Sequence, residues 1–223
     1  MIRETYSAVI VPDVTFFGRD YGILVCRDPH RKNNPHFQEV HRETNEEYRQ
    51  ARKALEGKGI TITAVVIDGR KGVKELFSEF PVQVCQFHQI KTVNRYLTRR
   101  PKIQAAQELG VIVLGLTKTN EKDFTNVLSC WHEKWEAFLK ERTINPDNSK
   151  KWNYTHKRVR AAYGSLKRNT PNLFIYQKYP ELKIPNTTNS ADGYFNRLKE
   201  LLRVHRGMSK EKRYLLIKEI LTK

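Results

Sequence analysis

Three carboxylates, Asp13, Asp68 and Asp192, are the residues through which this sequence could do chemistry. Hard oxygen ligands drawn from separate elements can hold two divalent ions such as Mg²⁺ or Mn²⁺. Such a pair serves phosphoryl transfer, one ion activating the nucleophile and the other stabilising the leaving oxygen. Each acid also has a plain structural reading. Asp68 precedes Gly69, and Asp-Gly is a common turn dipeptide. Asp192 stands in the first turn of a predicted helix, where a carboxylate is favourable without any function.

The elements that must position these acids are legible around Ile60 to His88. Ile60 to Ile67 is rich in β-branched residues and reads as a strand buried on both faces. Asp68 follows it, at the rim where ligands of α/β folds bind. Val73, Leu76, Phe77 and Phe80 recur at helical spacing until Pro81 stops the helix. Val82 to Phe87 reads as a second strand, parallel to the first, carrying Cys85-x-x-His88 at its end.

Upstream, Tyr6 to Phe17 predicts a strand with Asp13 inside it, and Tyr21 to Cys26 its hairpin partner. Pro12 requires a bulge or a later strand start. Phe37 to His41 suits a third short strand. Thr44-x-x-Glu47 resembles a capping box opening a helix from Glu46 to Glu56 that ends at Gly57 or Gly59. The order is βββ-α-β-α-β, a mixed α/β sheet.

After His88 the spacing predicts helices over Gln89–Leu97, Pro101–Leu109, Asn120–Arg142 and Trp152–Leu166, the last closed near Pro171. Phe124, Val127, Leu128, Trp131, Trp135 and Phe138 form an apolar stripe that reads as core. Asn145 to Ser149 reads as a linker, and Leu173 to Tyr179 as a short strand or extended segment. Asn186 to Ser190 offers several N-cap residues for a helix from about Ala191 to His205, ending at Gly207. Tyr194, Leu198, Leu201 and Leu202 should face the core. Asn196, Lys199, Arg203 and Arg206 share a face with Asp192, a basic stripe along which DNA could run. A second basic group, Lys157, Arg158 and Arg160, is the alternative path. Ser209 can cap a last helix through Leu221.

Charge points the same way. The 223 residues hold 41 Lys and Arg against 24 Asp and Glu, a net +17. Residues 150–223 hold 18 of the cations and only 5 of the acids. A polyanionic partner follows, nucleic acid first and an anionic membrane second. No apolar run reaches bilayer length, and the N-terminus lacks the order of a signal peptide. Three widely spaced cysteines make no disulfide framework, so a reduced, cytoplasmic protein is expected.

The segments VPDVTFFGRDYGILVCRD, VVIDGRKG, VQVCQFHQIKTVNRYLTRRP and IPNTTNSADGYFNRLKELLRVHRGMS resemble the catalytic domain of Mutator-like bacterial insertion-sequence transposases. The resemblance runs from about Ile10 to Ser209. It implies a ribonuclease-H-like core over 1–97, a mainly helical insertion over 98–185, and helices over 186–223 that complete the core. It implies Mg²⁺-dependent cutting and joining of DNA ends at a DDE triad falling on Asp13, Asp68 and Asp192, where the third acid of the family is normally Glu. Cys85 and His88 fall on its Cys-x-x-His signature. Element ends and target duplex are the implied partners, with the chain a homo-oligomer on DNA. Family members carry a DNA-binding region before the first acid, so the twelve residues before Asp13 suggest a trimmed or decayed element, or a catalytic half that needs a partner. An inactive relic that still binds DNA, and a nuclease that cuts without joining, are the alternatives. Cys85 and His88 could also join Cys130 and His132 at zinc, although the spacing is unusual. In the plainer reading Cys85 is buried in the strand and His88 caps the sheet. Cys26 should pack in the hairpin.

Overall fold

The computed structural model describes residues 5–146, 148–204 and 207–222. Alternating apolar runs form β1 (Tyr6–Phe16), β2 (Gly22–Asp28) and β3 (Asn33–Val40), followed by helix α1 (Asn45–Gly57). Thr44 caps α1, accepting the Glu47 amide on its hydroxyl at 3.4 Å. Next come β4 (Ile60–Ile67), a single helical turn α2 (Val73–Leu76), β5 (Val82–Val84) and α3 (Gln86–Leu97). Among the described residues these strands form a five-stranded sheet in the order β3-β2-β1-β4-β5. β1, β4 and β5 pair in parallel, whereas β2 pairs antiparallel with both β1 and β3. The sheet is therefore mixed and the class α/β, as the sequence predicts.

Pro12 causes no break in β1. The parallel ladder to β4 runs from Tyr6↔Ile60 to Ile10↔Val65 and stops there. Pro12 lies beyond its last pair, opposite Cys26 of β2, so its missing N–H leaves the β4 ladder intact. The bulge falls earlier, between Ala8 and Val9. It inserts Thr63 into β4 and resets which side chains face which way.

The two faces of the sheet carry separate cores. Ala8, Ile10, Leu24, Cys26, Val65 and Ile67 pack on one side with α1, α3 and the later helices. Val9, Val11, Ile23, Val25, Ala64 and Val66 pack on the other, against residues of α8 (Asn189–Val204) and α9 (Lys210–Thr222). Cys26 lies buried in the hairpin as expected.

Between the sheet and α8 the chain forms α4 (Gln104–Leu114), α5 (Glu121–Lys140), strands β6 (Arg142–Asn145) and β7 (Asn148–Tyr154), α6 (Lys157–Leu173) and the short α7 (Ile175–Lys178). Several predicted boundaries are corrected here. β5 stops at Val84 rather than Phe87, because Cys85 caps α3, which starts at Gln86 rather than Gln89. Asn145, Asn148 and Ser149 of the predicted linker, and the predicted helix start at Trp152, fall in an antiparallel ribbon, β6–β7, while residue 147 lies outside the described residues. α6 begins only at Lys157 and carries Pro171 inside its last turn. The segment after Leu173 is helical, not extended. Of the predicted stripe on α5, Phe124, Leu128 and Trp131 are buried, but Val127 is exposed. His205 falls outside the described residues. No helix among those described is long and apolar enough to cross a membrane.

Candidate active site

Asp13, Asp68 and Cys85 are brought to one edge of the sheet by register. Asp13 lies on β1 beyond the end of its parallel ladder, and Asp68 immediately follows β4. Ile67 pairs with Val84, and the Cys85 amide still donates to the Ile67 carbonyl at 2.7 Å. Cys85 is thus level with Asp68. Strand alternation gives Asp13 the parity of Val9 and Val11, the face covered by α8. Asp68 shares the parity of Ala64 and Val66 on that same face.

The turn reading of Asp68 also holds. Its Oδ1 accepts the Arg70 amide at 2.8 Å, closing an Asx-type turn. Gly69 takes φ +89, and a Cβ there would sit 3.3 Å from Val84. The turn fixes one carboxylate oxygen and leaves the other for a ligand.

Asp192 enters from the first turn of α8. α8 starts at Asn189, earlier than the predicted Ala191, because the Thr188 carbonyl accepts the amides of Ala191 and Asp192. Thr188, fully buried, was not singled out as a functional residue by its sequence. It sits at the centre of the cluster. Its amide donates to Cys85 Sγ at 3.3 Å. Its hydroxyl stands 3.1 Å from Asp192 Oδ2, 3.2 Å from His88 Nδ1 and 3.4 Å from Cys85 Sγ. The Cys-x-x-His spacing has a local cause: Cys85 is the N-cap of α3, accepting the His88 amide on its sulfur at 3.5 Å. Asn186 ties the segment before α8 to the same helix start through bonds of 3.0 Å with Gln86.

The electrostatics join Asp13, Asp68, Asp192, Cys85 and His88. Burial, reinforced by the negative charges of Asp192 and Asp68, pushes Asp13 up to about 7, against the pull of the Val14 amide and His88. The Cys85 side chain holds His88 above its ordinary range despite burial, and Asp192 and Asp68 act in the same sense. Burial works to raise the Cys85 thiol, but hydrogen bonds from His88 and Thr188 outweigh it and leave the thiol low.

No protein-family model matches the chain, and no curated protein matches it.

The donor chemistry suits a hard divalent cation: burial, with smaller contributions from the charges of Asp192 and Asp68, holds Asp13 protonated, and a positive ion would favour its carboxylate. They are not drawn together as a finished ligand set. Among the described residues no three His, Cys, Asp or Glu side chains stand grouped to hold a metal. The Asp192 carboxylate accepts from Thr188 instead. Cys130 is exposed on α5, and His132 stacks on Tyr163 at 4.5 Å.

The basic residues separate into two kinds. On α8, Asn196, Lys199 and Arg203 are exposed, whereas Arg206 falls outside the described residues. Leu198 and Leu202 face the core as expected, but Leu201 is 40% exposed. On α6, Lys157 is exposed, but the two arginines have structural partners. Arg158 donates to the carbonyls of Arg95 and Tyr96 at the end of α3. Arg160 donates to Leu139 at the end of α5 and lies 3.5 Å over the Tyr154 ring. Both cap helix C-termini, which favour cations.

Proposed function

We propose that this chain is the catalytic domain of a DDE-type DNA transposase of the Mutator-like kind, with a ribonuclease-H-like core, cutting and joining DNA ends with Mg²⁺ or Mn²⁺. The observation that carries the reading is the meeting of Asp13, Asp68 and Asp192 in one electrostatic cluster. They come from β1, β4 and α8, at the carboxyl rim of a mixed sheet ordered 3-2-1-4-5. The basic last third and the exposed cations of α8 support a DNA partner.

In this reading Asp13 and Asp68 would hold the metal from the strands, and Asp192 would complete the set on leaving Thr188. The metal would supply an activated hydroxyl nucleophile and charge stabilisation for the leaving oxygen. Thr188 would position Asp192, its hydroxyl also standing against His88, and the Cys85 cap ties the α3 start to the α8 start. Lys199 and Arg203 would carry the duplex backbone as it leaves the site. Element ends and target are the expected DNA, the working form a homo-oligomer, and the compartment the cytoplasm.

The experiment is strand transfer with a pre-cut DNA end and a target duplex, in Mg²⁺ or Mn²⁺. Joined product supports the transposase reading. Cleavage without joining would make the chain a nuclease. Binding without either reaction would make it a relic that only holds DNA.

A further inference from the structure

Two cavities of about 420 and 430 Å³ lie along the sheet rim and share Asp68, Gly69, Arg70 and Thr92, so they form one groove. Each is of the size that accepts a small-molecule-sized unit. One stretch, between the β4–α2 turn, α3 and α6, is walled by Lys71, Lys74 and Arg168. The other carries His88, Lys91 and Arg95 of α3. Asp68 and Glu75 are its carboxylates. Lys74 is bonded to Asn172 and Arg70 to Glu43. Among the described residues, Lys71, Lys91, Arg95 and Arg168 form no ion pair. The floor is a chain of amides and a hydroxyl: Gln89 donates to Ser165 at 3.1 Å and accepts from Asn169 at 2.6 Å. At the start of α3, Phe87 is 41% exposed, and Lys91 Nζ lies 4.3 Å from its ring centre.

We infer that this groove holds an unpaired stretch of a DNA strand running past Asp68, its phosphates on Lys71, Lys91, Arg95 and Arg168 and a base on Phe87. A track of unneutralised cations combined with an exposed aromatic face is what single strands bind. The polar floor suits base edges, which are free to hydrogen-bond only when unpaired. The inference rests on the transposase reading for its choice of DNA, and it gives that site a second channel, separate from the α8 stripe that would carry the duplex.

The test uses one duplex sequence, blunt or with a short single-stranded tail, and measures binding by fluorescence anisotropy in EDTA. Tailed DNA should bind more tightly than blunt. Phe87→Ala should weaken tailed binding at least about fivefold, the lower end for losing one stacked base, and leave blunt binding unchanged. Lys71→Ala with Arg168→Ala should shrink the affinity ratio between 50 and 200 mM salt about sevenfold for tailed DNA, from a slope of roughly 0.7 per single-strand phosphate contact. All three side chains are exposed or at the surface, and circular dichroism checks folding. Lysine acetylation of the unaltered protein decides independently of any variant: a tail should protect Lys71 and Lys91. Equal affinity for blunt and tailed DNA, or no protection of either lysine, would overturn the inference. Because no metal is present, its failure is separate from that of the catalytic reading. Tail preference without strand transfer would leave the groove and sink the transposase; strand transfer without tail preference would do the reverse.

Discussion

Cys85 and Thr188 lie 103 positions apart in the chain, yet the Thr188 amide donates to Cys85 Sγ at 3.3 Å, joining the start of α3 to the start of α8. Through this contact one buried hydroxyl touches Asp192 and His88 as well. Asp192 is therefore held from the Cys-x-x-His turn as well as by α8.

Thr188→Val keeps the volume of the side chain and removes its hydroxyl. Asp192 and His88 then lose a buried partner, which should cost about 1–3 kcal/mol of stability. Thr188→Ser should recover most of it. Urea unfolding of the three proteins measures this; a Val variant as stable as the parent would show that the hydroxyl contacts carry no weight.

Asp13 predicts an unusual dependence on pH in metal-free protein. Its folded value of about 7 lies above the ordinary 3.8. The stability it lends is complete below the unfolded value and is lost as pH rises through 7. Asp13→Asn should match the parent near pH 4 and become more stable by up to about 4 kcal/mol at pH 8. A difference that stays constant across that range would remove the argument that burial and the neighbouring acids hold Asp13 protonated.

Asp68→Ala should lower Mg²⁺-dependent DNA cleavage by more than the roughly 10–100-fold that loss of an outer-shell partner costs. Affinity for DNA should stay close to that of the parent, since binding comes from cations on phosphates. Parallel loss of both would mark Asp68 as a turn residue only, in keeping with its bond to the Arg70 amide.

Lys199→Ala with Arg203→Ala should reduce the salt slope of duplex binding by about two units and weaken unrelated sequences alike. Neither side chain is buried, so the thermal midpoint should not move. An unchanged slope would shift the duplex path to Lys157 and its surroundings, although Arg158 and Arg160 already cap helices there.

Much of this was readable in the chain because strand and cap chemistry is local. The β-branched run at Ile60 to Ile67, the capping Thr44 and the capping Ser209, which accepts the Lys212 amide, stand where the residue types put them. What the sequence concealed was non-local. Trp152 and Tyr154 read as the start of a basic helix, but they pair with Ile144 and Arg142 across an antiparallel ribbon, with Arg142 lying 3.9 Å over the Trp152 ring. Val82 to Phe87 looked like one strand because Cys85 and Phe87 are apolar; the cap formed by Cys85 Sγ ended it. Of the two strand acids of the candidate site, Asp68 could be found from its place at the end of a buried run, and Asp13 as a lone carboxylate inside an apolar strand. Thr188 could not, because its neighbours Thr187 and Asn189 are equally good cap residues and only the fold distinguishes them. The cations of the rim groove come from the β4–α2 turn, α3 and α6, and no spacing in the chain joins them.

The division of the sheet into two packed faces has a consequence for synthesis. As the chain leaves the ribosome, β1, β4 and α3 emerge long before α8 and α9. Until those last helices arrive, Val9, Val11, Ile23, Val25, Ala64 and Val66 lack the helices that pack against them, and the rim holds Asp13 and Asp68 without Asp192. The helix that covers this apolar face is thus the same one that carries Asp192, so the face is closed and the carboxylate brought in by one folding event.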